Sequence, residues 1–154
     1  WSEAALNLSG VDNGRDLLAS RYDSLGFDSC THYQFCHFAN VDQPYERVFS
    51  EVQAEWARLD ATLPFPYFPH VSMGWDNNPR FQTFRPGVMR DCTPEAIEAA
   101  LRAAREYVDA HLGQPPLVTL NSWNEWTETS FLQPDDRYGY GYLDAVRRVF
   151  LEGK

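Results

Sequence analysis

The sequence predicts an α/β fold on parallel strands. Three observations carry that expectation: short apolar runs set off by Gly or Pro, helical periodicities alternating with them, and long segments following each run. The first helical pattern starts from a cap at Asp12 or Asn13, passes through Leu17, Leu18 and Tyr22, and stops at Gly26. Gly26 opens the first apolar run, Phe27 to about Tyr33. The second helix begins near Pro44 and repeats Tyr45, Val48, Phe49, Val52, Trp56 and Leu59, the spacing of one buried face. Pro66 then introduces a second run, Tyr67 to Met73. Thr93-Pro94-Glu95 is a capping residue followed by proline at the first helical position. The helix it starts continues through Ile97, Ala100, Leu101, Ala104 and Val108 and ends at Gly113. Pro116 precedes the third run, Leu117 to Asn121. A last helix over about Tyr142 to Leu151 is expected to bury Leu143, Val146 and Phe150.

Strands alternating with such helices imply right-handed crossovers. Because segments entering the strands are short and those leaving are long, the long loops gather at the carboxyl ends, where α/β proteins build their sites. The candidate site therefore lies in residues 31–43, 74–92 and 121–141.

Composition narrows the function. In 154 residues, 13 Lys+Arg face 22 Asp+Glu for a net charge of −9, and 44% of residues are hydrophobic. That fits one globular domain with enough aromatic bulk to fill a core. The negative balance, with no Lys/Arg run, repels phosphate backbones and excludes nucleic acid as the main partner. No stretch approaches the roughly 18 apolar residues of a membrane span. Cys30, Cys36 and Cys92 are an odd number, which favours a reducing, cytoplasmic compartment over a disulfide framework and otherwise leaves location open. Cys30, His32, Cys36 and His37 lack paired zinc-ligand spacing, so no metal is expected there. Asn7-Leu8-Ser9 is a formal glycosylation sequon.

The third long loop opens with Asn121-Ser122-Trp123-Asn124-Glu125-Trp126-Thr127-Glu128, two acids three positions apart between and beside indoles. Glycoside cleavage needs one protonated carboxyl group and one ionised partner. A single helical turn would place Glu125 and Glu128 close enough, and Trp123, Asn124 and Trp126 can hold a pyranose ring beside them. The competing reading is a solvated acid pair at a helix start; the position at a strand's carboxyl end favours the site. In the second loop, Trp75, Asp76 and Arg80 suit polyol binding, or else Asp76 and Arg80 pair with each other to order the turn. In the first, His32, Tyr33 and His37 can contact sugar hydroxyls, although a histidine near an apolar strand is more often structural. Tyr138-Gly139-Tyr140 lacks dinucleotide-binding spacing and is expected to pack near the last helix.

Trp123-Asn124-Glu125-Trp126-Thr127-Glu128, the tail Pro134-Asp135-Asp136-Arg137-Tyr138-Gly139-Tyr140 and the block Gly74-Trp75-Asp76-Asn77-Asn78-Pro79-Arg80 resemble the glycoside hydrolase family 99-like proteins of the WbsX polysaccharide-biosynthesis type. The resemblance implies a bacterial source and a (β/α)8 TIM barrel, of which this chain would be the C-terminal part, three to four β/α units within a larger catalytic domain. It further implies Glu125 as the base at the substrate's 2-hydroxyl, Glu128 as general acid/base, an oligosaccharide or polysaccharide substrate, and no metal or organic cofactor. Thr129 stands where the family usually has Gly, and Gln133 where it often has Glu. An eight-stranded barrel typically needs about 250 residues, so the missing barrel half or another copy of the chain is an expected partner. Three functions follow: a retaining, endo-α-mannosidase-like hydrolase, a glycosyltransferase-like biosynthetic protein, and a non-catalytic glycan-binding scaffold.

Overall fold

A computed structural model of the protein describes residues 28–152; the helical pattern over residues 12–26 and the sequon lie outside them. Strand β1 (Cys30–Thr31) pairs in parallel with β2 (Tyr67–Phe68), and β3 (His70–Ser72) pairs in parallel with β4 (Thr119–Asn121). Proline at 69 has no N–H for a ladder and separates β2 from β3. Its carbonyl still accepts the Thr119 N–H at 3.0 Å, so residues 67–72 run between β1 and β4 as one interrupted central strand. The three expected runs are therefore present, each shorter than its apolar stretch. Among the described residues the strands do not close into a barrel.

Helix α1 (Tyr45–Thr62) buries Tyr45, Val48, Phe49, Val52, Trp56 and Leu59, the face expected from its periodicity. Helix α2 (Pro94–Ala110) starts where Thr93 accepts the Ala96 N–H, satisfying one of the first turn's free donors, and buries Ile97, Ala100, Leu101, Ala104 and Val108. Both helices join the strands in one core, with Val71 and Leu101 fully buried. Complete burial of such side chains stabilises by roughly 1.5–3 kcal/mol each.

The last helix differs from expectation. Helix α3 (Gly141–Arg147) continues as a π-helical turn over Arg148–Glu152, and its buried residues are Tyr142, Ala145 and Val149. Leu143, Val146 and Phe150 are only half-buried flanks of the core. The reason is packing: Gly141 lies so close to Pro94 that a Cβ there would meet the Pro94 ring carbon at 2.7 Å. With that contact the face of Tyr142, Ala145 and Val149 turns into the core.

Between β4 and α3 the chain forms a hairpin of β5 (Asn124–Glu125) and β6 (Ser130–Phe131), joined by a 3₁₀ turn over Trp126–Glu128. Thr129 closes it at φ 52°, a left-handed position. Gly is the residue that enters that region without strain.

Candidate active site

Strand alternation sorts the site residues before any contact is considered. Tyr67, Val71 and Met73 join the core under the helices, whereas His70 and Ser72 face the other side. On that inner side the Thr31 and Thr119 hydroxyls meet at 2.7 Å, and His70 reaches Thr119 with Nδ1 (2.9 Å) and Ser72 with Nε2 (3.1 Å). Thr31, His70 and Thr119 line an open cavity of about 440 Å³ together with His32, Tyr33, Leu120 and Ser122. His70 is 2% exposed, and burial pushes its pKa down to about 3.

At the carboxyl ends, Gln34 ties three loops together. Its amide donates to Asn121 Oδ1 at 2.7 Å and reaches Ser130 Oγ and the Gly74 carbonyl at 3.4 and 3.5 Å, while its carbonyl accepts the Phe35 N–H. Buried amides are costly unless paired, so this web fixes the loop starts relative to one another. Gly74 allows the closest approach: a Cβ there would lie 2.4 Å from the Thr129 carbonyl oxygen. The backbone bond from Asp76 N–H to the Glu128 carbonyl (2.8 Å) then fastens the second loop along the hairpin.

Arg80 is the residue that brings the two motif acids together. Its guanidinium donates to Glu125 Oε1 at 2.8 Å, to Glu128 Oε1 at 2.7 Å and, through Nε, to the Thr127 hydroxyl at 2.9 Å. Thr127 in turn donates to Glu125 Oε1 at 3.1 Å. The acids differ in setting: the Glu125 side chain is 39% exposed, the Glu128 side chain 11%. Glu128 Oε2 is buried without a hydrogen-bond partner among the described residues. Such an oxygen is expensive to leave unpaired and is satisfied when a donor arrives. Asp76 does not pair with Arg80; its carboxylate accepts the backbone N–H and side-chain amide of Asn78 at 2.9 and 2.7 Å. The second loop is thus ordered by an Asx turn that frees Arg80 for the acids.

The remaining sequence candidates fall into three places. His32 is 2% exposed, with its ring stacked on Phe38 and Nδ1 2.8 Å from the Tyr67 hydroxyl. Burial lowers its pKa to about 3. Tyr33, one position on, is half exposed and lines the inner cavity. Trp75 lines a different cavity, behind the hairpin. Trp126 lies flat on Phe131 with ring centres 3.8 Å apart and donates Nε1–H to Gln133, while Trp123 and Asn124 are exposed. Sequence reasoning missed Gln34 and Thr127. Neither residue type carries chemistry by itself, and their partners are remote or ambiguous in sequence. Among the described residues no three His, Cys, Asp or Glu side chains are grouped to hold a metal ion, and no helix is long and apolar enough to cross a membrane.

Residues 14–146 match the family described as Glycosyltransferase WbsX. The chain belongs to the WbsX family. It is also 35% identical over 92 residues to the protein WxcX of Xanthomonas campestris pv. campestris strain B100, and equally to that of strain ATCC 33913, each described as uncharacterized. Each alignment covers 55% of this chain and 12% of the relative, so the chain spans about an eighth of the length of those relatives. No solved structure matches it. The WbsX description places the family among carbohydrate-active proteins.

Proposed function

We propose that this WbsX chain is part of a retaining, endo-α-mannosidase-like glycoside hydrolase, with Glu125 and Glu128 as its reacting acids. The observation that carries the reading is the convergence of both carboxylates on Arg80 at the carboxyl end of β4. In this mechanism Glu125 takes the proton of the sugar's 2-hydroxyl as that oxygen closes on the anomeric carbon. Glu128 gives a proton to the departing glycosidic oxygen; water, deprotonated by Glu128, then attacks the anomeric carbon and opens the anhydro sugar as Glu125 returns its proton to the 2-oxygen. Arg80 positions both acids and offsets their mutual repulsion. Asp76 sets the turn that carries Arg80, and Trp123, Asn124 and Trp126 supply contact to the glycan.

The parallel order of β1, the 67–72 segment and β4, with the loops after β1 and β3 longer than those before β2 and β4, supports a C-terminal portion of a (β/α)8 barrel as the setting. Its inner side would then face the barrel axis, and the rest of the barrel would come from other residues of a longer protein or from a second copy.

The second reading is a transferase, favoured by the family's own description. Turnover of an α-mannoside oligosaccharide, measured with and without a nucleotide-sugar donor, separates the two. The hydrolase reading requires release of reducing sugar without a donor. It also requires Glu128→Gln to lower turnover by about 100-fold or more while glycan binding persists. Turnover that depends on the donor, or that ignores both Glu→Gln substitutions, overturns it.

A further inference from the structure

We propose that the cavity behind the acid-bearing hairpin binds the anionic substituent of a sugar, a carboxylate or a phosphate ester, with Arg90 and Arg137 as the groups that recognise its charge. The proposal rests on the carbohydrate reading above and adds a substrate feature to it. The cavity, about 330 Å³, is separate from the inner one and has the size of a small-ligand pocket. Its floor is apolar and aromatic: Met73 and Met89 are buried, and Trp75, Phe131 and Tyr142 stand around them. Flat apolar surface of this kind suits the face of a sugar ring.

Two arginines line the cavity although the chain carries a net charge of −9. Arg90 and Arg137 come from different loops, on either side of α2, and both line the opening. Arg137 forms no ion pair among the described residues; its guanidinium lies 4.8 Å from the Tyr138 ring centre, with the Cys92 thiol and Tyr142 hydroxyl in its field. Arg90 shares one N–H with Asp42 at 3.3 Å, a half-exposed contact worth little. Among the lining residues Asp91 is the acid beside the two guanidinium groups, with Asp42 and Asp135 outside the lining. Asp135, nearby, already spends its Oδ1 on the backbone N–H groups of Arg137 and Tyr138. A planar guanidinium with free N–H groups above an aromatic floor matches a carboxylate or phosphate borne on a ring. The position is also right for one substrate to reach both places, because Thr129 forms part of the wall and directly follows Glu128.

The test is titration of the full chain with D-glucuronate, D-glucose and inorganic phosphate at low salt, repeated on Arg137→Gln, on the Arg90→Gln/Arg137→Gln double variant and on Arg147→Gln, whose arginine is outside the cavity. The expected result is D-glucuronate or phosphate binding at least about tenfold tighter than D-glucose, weakening as salt rises. That advantage is lost in the double variant, reduced in Arg137→Gln and kept in Arg147→Gln. Preference for glucuronate assigns an acidic sugar, and preference for phosphate alone a phosphorylated one. Equal or absent binding of all three probes, or an advantage that survives the double variant with its circular dichroism unchanged, overturns the site. Glu128→Gln leaves these affinities intact, so its effect on turnover judges the hydrolase reading separately.

Discussion

The two sides of the central strand are held by different physics. On the helix side, Val71, Val52, Leu59, Ile97 and Leu101 exclude water completely, and stability there is a matter of area and fit. On the other side and at the carboxyl ends, hydroxyls, imidazoles, an amide and one guanidinium hold the loops through directed bonds. The first side tolerates changes of charge in the medium; the second answers to pH, salt and any hydroxyl-bearing ligand. A chain built on such a framework can reshape its loops without repacking its helices.

The comparison can be broken most forcefully at the core. Leu101→Ala should cost about 2–5 kcal/mol in denaturant unfolding, because the cavity it leaves lies between fully buried neighbours. The hairpin's own contacts should persist in the folded fraction. A cost below about 1 kcal/mol would mean that α2 is not packed as described.

The polar side should announce itself through pH. His70 and His32 are both held near pKa 3 by burial, against an ordinary value of 6.5. With the folded value depressed, the unfolded chain binds protons first. Stability is therefore full above about pH 6.5 and is lost as pH falls from there toward 3, by about 1.4 kcal/mol per pH unit for each histidine. His70→Asn should remove one such slope from the variant's pH profile, so that the difference from the parent shows it; identical pH profiles would place His70 in water.

A smaller effect is expected at Arg80. Its bonds to Glu125 and Glu128 are partly exposed, so Arg80→Gln should lower stability by only about 1 kcal/mol, and less in high salt. The local consequence is larger than the global one, since two acids lose their shared counter-charge. Faster amide exchange confined to the hairpin over residues 124–131 would register that loss, and unchanged exchange would contradict the bridging role.

The helices were legible because burial of one face imposes a period that the residues repeat, as Tyr45 to Leu59 do, and because Thr93-Pro94 is a local signal for a local event. The last helix was misread by one position, since Gly141 against Pro94 is a contact between residues far apart in sequence and no periodicity encodes it. The acids, too, were expected on a helical turn; they sit on a hairpin whose corner is a 3₁₀ turn, a distinction that three-residue spacing does not make. Arg80 was visible as a candidate and its partners were not. Asp76 looked the nearer mate, but Asn78 takes that carboxylate, and the guanidinium crosses 45 residues to Glu125. His32 and Tyr33 show the same limit: adjacent in sequence and lining the same open cavity, one is buried at 2% exposure and the other is 48% exposed.

The most direct measurement is a crystal structure of the Glu128→Gln variant with an α-mannoside oligosaccharide bound. The account predicts one sugar seated at the hairpin, with its 2-hydroxyl within about 2.6–3.2 Å of the Glu125 carboxylate and its glycosidic oxygen as close to the residue 128 side chain. A glycan bound elsewhere, with Arg80 still closing over both side chains, would contradict it.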